Sequence, residues 1–138
     1  MSLITDLSSS ESIKDVSFPK INQNFNELRK ALDVVSLVDA ATIAVDASAL
    51  GRFFHVTLGG NRTMGNPTNP VAGRIIIFRI RQDATGSRTI SWDTKYRFTA
   101  TIPAPTLTTT ANKFDYVGFA YNEVDDKWDV LSTNLGYL

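Results

Sequence analysis

The sequence has no cysteine, one histidine, and no apolar run near the roughly 20 residues that cross a bilayer. The missing cysteine removes disulfides, thiolate zinc sites and cysteine nucleophiles together. The single histidine, His55, cannot supply a multi-histidine metal site, and it leaves a catalytic triad few possible bases. No Gly-x-Ser-x-Gly elbow occurs. Charge of one sign is also missing: 14 basic residues balance 14 acidic ones, which argues against a dedicated nucleic-acid binder. The opening "MSLITDLSSSESIKD" lacks a basic start and an apolar core. No signal peptide and no membrane insertion are therefore expected, and synthesis in a cytoplasm is.

What remains, 138 residues of ordinary apolar content, suits one compact domain with a short appendage. Residues 1–16 are rich in serine and charge, and read as an arm ordered only by contact with something else. In residues 17–38 the texture changes. Phe18, Ile21, Phe25, Leu28, Leu32 and Val35 recur at spacings of 3, 4, 3, 4 and 3. That is a heptad seam, with Ser17 as N-cap and Pro19 in the tolerant first turn. One reading is an amphipathic helix lying on its own domain. The other is a short parallel coiled coil, for which phenylalanine at a favours three strands over two. Under three heptads are marginal alone, so such a stalk needs the following domain to associate as well.

Residues 39–138 read as β. "RFFHVTL" alternates Phe53, His55 and Thr57 against Phe54, Val56 and Leu58. "RIIIFRIRQ" places Ile76, Phe78 and Ile80 on one face and Ile75, Ile77, Arg79 and Arg81 on the other. That second face is apolar at one end only, so partial cover by another layer or another subunit is expected. "DATGS" reads as a hairpin turn into "RTISW", and "EVDD" as a second one between "FDYVGFAYN" and "KWDVLST". Short strands every 8–12 residues, with no longer repeat, predict a mainly β fold: an antiparallel sandwich or barrel-like domain after the helix.

Candidate chemistry is sparse. The loop "GNRTMGNPTNPVAG", Gly60 to Gly73, is rich in glycine, proline and asparagine. No lysine follows its last glycine and a strand comes next, so a phosphate-binding loop fails and a chain-turning role is expected. Asn61-Arg62-Thr63 is a glycosylation sequon by composition only. His55, in an alternating apolar strand, reads as a packed or interface residue. Glu123, Asp125, Asp126 and Asp129 do not match the spacing of a calcium loop and read as solvated turn carboxylates. The basic stretch Arg74–Arg97 and the acidic stretch Asp115–Asp129 read as sheet faces that can pair. Trp92, Tyr96, Tyr116, Tyr121 and Trp128 can stack on sugars where exposed, though most are expected in the core or an interface. No cofactor, metal or catalytic residue is assigned.

Three stretches, "GNRTMGNPTNP", "QDATGSRTISWD" and "TTTANKFDYVGFAYN", resemble a module at the C-terminal ends of many bacteriophage tail-fibre and other virion proteins. The resemblance runs from Val56 to Val130. "FPKINQNFNELRKAL" is similar to a short helix that precedes such modules. The resemblance implies a trimeric, β-rich, non-enzymatic virion appendage with no catalytic residues. It implies other virion proteins as partners, in the tail or the head, and a host surface glycan or protein as a further one. Phe18, Ile21, Phe25, Leu28, Leu32 and Val35 are then the expected trimer interface. With almost no shaft, a short fibre and a capsid decoration protein both fit the length. A cellular carbohydrate-binding β-sandwich is the alternative from another class.

Overall fold

The computed structural model describes residues 18–30 and 33–137. The chain divides into two units, Met1–Leu32 and Asp33–Leu138. The arm at residues 1–16, the cap at Ser17 and the seam position Leu32 lie outside the described residues.

In the first unit, Phe18–Lys30 form one helix, α1. Good helix formers fill its last turn, where Arg29 and Lys30 complement the negative end of the dipole. Lys30 bonds Glu27 one turn back at 2.8 Å. A helix running on to Val38 is not what forms. Val34–Ser36 are a strand, β1, paired parallel with β3 (Phe53–Leu58), so Val35 leaves the heptad seam. It sits opposite Phe54 and packs against the β core. The reason is local and tertiary together: β-branched Val34 and Val35 favour extended backbone, and β3 offers them an edge to pair with.

The second unit adds β2 (Thr42–Ile43), β4 (Arg62–Met64), β5 (Ile75–Gln82), β6 (Ile90–Trp92), β7 (Tyr96–Arg97), β8 (Phe114–Asn122) and β9 (Lys127–Tyr137). A six-stranded sheet runs β1-β3-β5-β8-β9-β7, and a three-stranded sheet runs β2-β4-β6. The chain alternates between the two sheets up to β7. Every pairing among β1, β3 and β5, and among β2, β4 and β6, is parallel. A parallel bridge from Asp46 to Thr68 joins consecutive windings a third time. The first half of this unit is thus a short parallel winding of three coils. The antiparallel hairpin of β8 and β9 closes it, β8 pairing with β5.

The expected antiparallel fold is therefore corrected to a mixed one. The β8–β9 hairpin at "EVDD" forms as expected, with Asp126 in the left-handed region at its turn. "DATGS" turns the chain but makes no hairpin, since β5 and β6 lie in different sheets. Side chains close that turn in place of strand pairing. The Gln82 amide accepts from Arg88 N and donates to Arg88 O. Asp83 Oδ1 accepts from the backbone N–H groups of Thr85 and Gly86. Gly86 has φ of +76°, and a Cβ there would stand 2.5 Å from the Thr109 carbonyl oxygen.

The core follows the period-2 alternation. Phe54, Val56, Leu58, Ile76, Phe78, Ile80, Val117 and Phe119 of the large sheet share one buried cluster with Ile43 and Met64 of the small one. Phe119 stacks within 6 Å of Phe78, Trp92, Tyr96 and Phe98.

Candidate recognition surface

The other face of the large sheet carries the residues that the alternation leaves over. Register fixes its rows. One runs Val34, Phe53, Ile77, Gly118, Ser132. The next runs Ser36, His55, Arg79, Tyr116, Asn134. The third runs Thr57, Arg81, Phe114, Tyr137. The first row is apolar at its β1 end, where Val34 keeps 43% of its surface, and Ile75 beyond it keeps 45%. The other two rows are cationic and aromatic, and contain no carboxylate.

Rings on this face interlock edge to face. Tyr116 lies 6.2 Å from Phe53 and 5.2 Å from Tyr137, each at 83°. The Arg81 guanidinium sits 5.2 Å over the Phe114 ring, and His55 is 6.1 Å from the same ring. His55 Nδ1 lies 3.2 Å from Arg79 Nε and 3.0 Å from the Arg79 carbonyl oxygen. One nitrogen cannot accept the first bond and donate the second at once, so the tautomer selects between them. Burial lowers the His55 pKa, and the positive charges of Arg79 and Arg81 lower it further. The ring is neutral at neutral pH.

The seven arginines of the β unit fall into three groups: held by carboxylates, bonded to carbonyls, and, for Arg52, Arg79 and Arg81, without a carboxylate partner among the described residues. Arg62 is held by Asp39 at 2.7 Å, Arg88 by Asp83 at 2.9 Å, and Arg97 by Asp129 at 2.5 Å and Asp125 at 2.8 Å. Arg74 instead donates to the carbonyls of Ala47, Ala49 and Gly51, tying that loop to β5. Arg79 and Arg81 have no carboxylate partner among the described residues. The amino ends of Arg79 make no hydrogen bond there, and Arg81 reaches only Asn112 Oδ1, at 3.5 Å. Arg81 Nε is buried without a partner.

The acidic turn pairs with the basic stretch, as the charge pattern allows, and Asp125, Asp126 and Asp129 are engaged rather than simply solvated. Asp129 and Asp125 hold Arg97, and Asp126 takes Lys95 and the Tyr121 hydroxyl. Bonding to Arg97 holds the Asp129 carboxyl below its usual range, and Lys95 does the same for Asp126. The glycine-rich loop is bonded as a piece of structure. Asn66 Oδ1 accepts from Lys95 N, the Tyr96 hydroxyl donates to Gly65 O, and Gly73 turns at φ of +71°. Trp128 and Tyr96 are core residues, and Trp92 and Tyr121 are partly buried against the same cluster; of the five aromatics weighed for stacking, Tyr116 stands on the outer face. A groove between residues 101–106 and 131–135 has no ionisable side chain in its walls.

Of the expected interface residues, Phe18, Ile21, Phe25 and Leu28 lie on α1; Phe25 keeps 61% and Leu28 67% of its surface. Sequence reading placed Arg79 and Arg81 on the second face but gave them no role. The signal available was their i, i+2 spacing in a strand whose alternate residues are apolar.

No helix among the described residues is long and apolar enough to cross a membrane. No curated protein sequence and no solved structure matches the chain. Residues 42–125, more than half of its length, match the family model described as "Putative phage tail fibre C-terminal domain". The match spans the parallel winding from β2 onward and strand β8 as far as the acidic turn, so the chain belongs to this family of phage tail fibre C-terminal domains.

Proposed function

We propose that the chain is a non-enzymatic appendage of a phage virion, working as a homotrimer. Residues 1–16 attach it to other virion proteins, the helix sets the symmetry, and the β unit points outward to meet the host surface. The family match carries the virion assignment. The exposure of Phe25 and Leu28 supports the trimer: two large apolar side chains one turn apart face water on a single copy. The apolar end of the outer sheet face, Val34 and Ile75 with Phe53 and Ile77, offers the second contact that so short a seam needs.

Light scattering on the purified chain tests the trimer, with about three times the monomer mass expected. Leu28→Asp should return it to monomers by placing like charges together in a desolvated seam. A wild-type monomer at micromolar concentration would refute the assembly. Removing residues 1–16 should leave a folded trimer that no longer enters particles, and normal incorporation would move attachment to the β unit.

A further inference from the structure

We propose that the cationic-aromatic end of the outer sheet face, centred on Arg79 and Arg81, is a binding site for an anionic saccharide carrying carboxylate or phosphate groups. This names the ligand class for the host-surface role above and rests on that role.

In a molecule with equal numbers of acids and bases, five carboxylates of the β unit, Asp39, Asp83, Asp125, Asp126 and Asp129, hold Arg62, Arg88, Arg97 and Lys95. Arg79 and Arg81 are left side by side on one strand, two residues apart, with no carboxylate of the described residues paired to either. Alternate residues of a strand stand about 6.6 Å apart, so two guanidinium groups repel here unless a ligand anion joins them. The guanidinium fork matches a carboxylate or phosphate in two bonds at once, and the amino ends of Arg79 are open to make them.

The surroundings specify the rest of the ligand. The two rows carry the hydroxyls of Ser36, Thr57, Tyr116 and Tyr137 and the amide of Asn134. These are neutral donors and acceptors, the set that suits many hydroxyl groups around one anion. The aromatic edges give apolar contact to the C–H faces of a sugar ring. A nucleic acid fits poorly. Tyr116 is edge-to-face with both Phe53 and Tyr137, so no free ring platform is offered to a base, and two cations are too few to follow a phosphate backbone. His55 is neutral beside Arg79 and adds a hydrogen-bonding edge, not a third charge.

The test uses the full-length chain and four probes in calorimetry: an oligogalacturonate, an oligosaccharide bearing mannose 6-phosphate, neutral maltopentaose, and a glutamate octapeptide. One of the two charged saccharides should bind, and which one tells carboxylate from phosphate. Arg79→Gln and Arg81→Gln should each weaken that binding about tenfold, the loss expected for one charge-assisted pair. Arg52→Gln, which removes an arginine outside these rows, should leave it unchanged. Raising salt from about 50 to about 500 mM should weaken it, since the sites are exposed enough to be screened. If Arg81→Gln does not fold, Arg79→Gln alone decides, because the amino ends of Arg79 hold nothing else. Equal binding of maltopentaose, no binding of either charged saccharide at millimolar concentration, or full binding by Arg79→Gln overturns the proposal. So does tighter binding of a glutamate octapeptide, which would make the ligand an acidic peptide. The trimer mass and particle incorporation are read separately. A trimer that enters virions but ignores these sugars refutes only this site.

Discussion

The two faces of the six-stranded sheet are made by the same strands, yet one is closed and the other open. On the inner face Phe54, Val56, Ile76, Phe78 and Phe119 are shut off from solvent, because the strands of the smaller sheet and Leu107 lie within the same cluster. On the outer face the neighbours in sequence, Phe53, His55, Ile75, Ile77 and Arg79, stay half-buried or exposed. Alternation supplies two candidate faces, and the second layer decides which becomes core. The difference also explains the arginines. A charge tolerated on the outer face would cost several kcal/mol on the inner one.

Truncating the inner face should have the largest effect. Phe119→Ala should cost about 3–5 kcal/mol, since a ring that meets four others leaves a cavity that cannot collapse. Denaturant unfolding measures it, and a loss below about 1 kcal/mol would place the core elsewhere. Adjacent isoleucines then compare the faces directly. Ile76→Ala should cost about 2–5 kcal/mol. Ile75→Ala, measured in the same way, should stay within about 0.5 kcal/mol in a monomeric background. Equal effects would mean that the outer face is as closed as the inner.

A backbone test is next in size. Gly73→Val should cost about 1–2 kcal/mol. Its φ is +71° and no atom lies within 4 Å of a new Cβ, so strain acts there without a clash. A melting temperature unchanged by this substitution would mean that the turn relaxes.

The smallest effect is electrostatic. Arg97→Gln should leave the midpoint of denaturant unfolding nearly unchanged at neutral pH, because the pair is exposed and screened by water. The acid dependence has a definite sign. Bonded cations hold Asp39, Asp83, Asp126 and Asp129 below the ordinary 3.8. Their contribution is complete above that value and is lost as pH falls through the lowered folded values. Stability followed from pH 6 downward should therefore drop from about pH 4, and a flat profile would show that these pairs contribute nothing.

Much of the fold was legible in the sequence, for reasons that particular residues show. Phe54, Val56 and Leu58 share one face of their strand, and Ile76, Phe78 and Ile80 one face of theirs, because a side-chain period of two permits no other division. The turn at "EVDD" was legible because its polar residues separate two long apolar strands. The "DATGS" turn misled because turn residues say that the chain reverses, not which strand it joins next. The Val35 position misled because a heptad count continues arithmetically past the residue where β-branching and a waiting strand edge take over. The role of Arg79 and Arg81 is not legible, since only the finished register shows that no carboxylate of the described residues stands beside them in their rows.

Local residue chemistry sets the alternatives: a helix from Phe18, strands with two fixed faces, balanced charge, and no thiol chemistry. Only the tertiary structure decided that β1, β3 and β5 pair parallel while the chain alternates between two sheets. The spacing that joins these coils changes from one to the next. Thr42 pairs with Thr63, but Arg62 pairs with Ile90, so no regular repeat announces the winding. Strand pairing is a contact between distant residues. Its partner is chosen by which edge is free and which face must be covered, and neither is written in any local stretch of the chain.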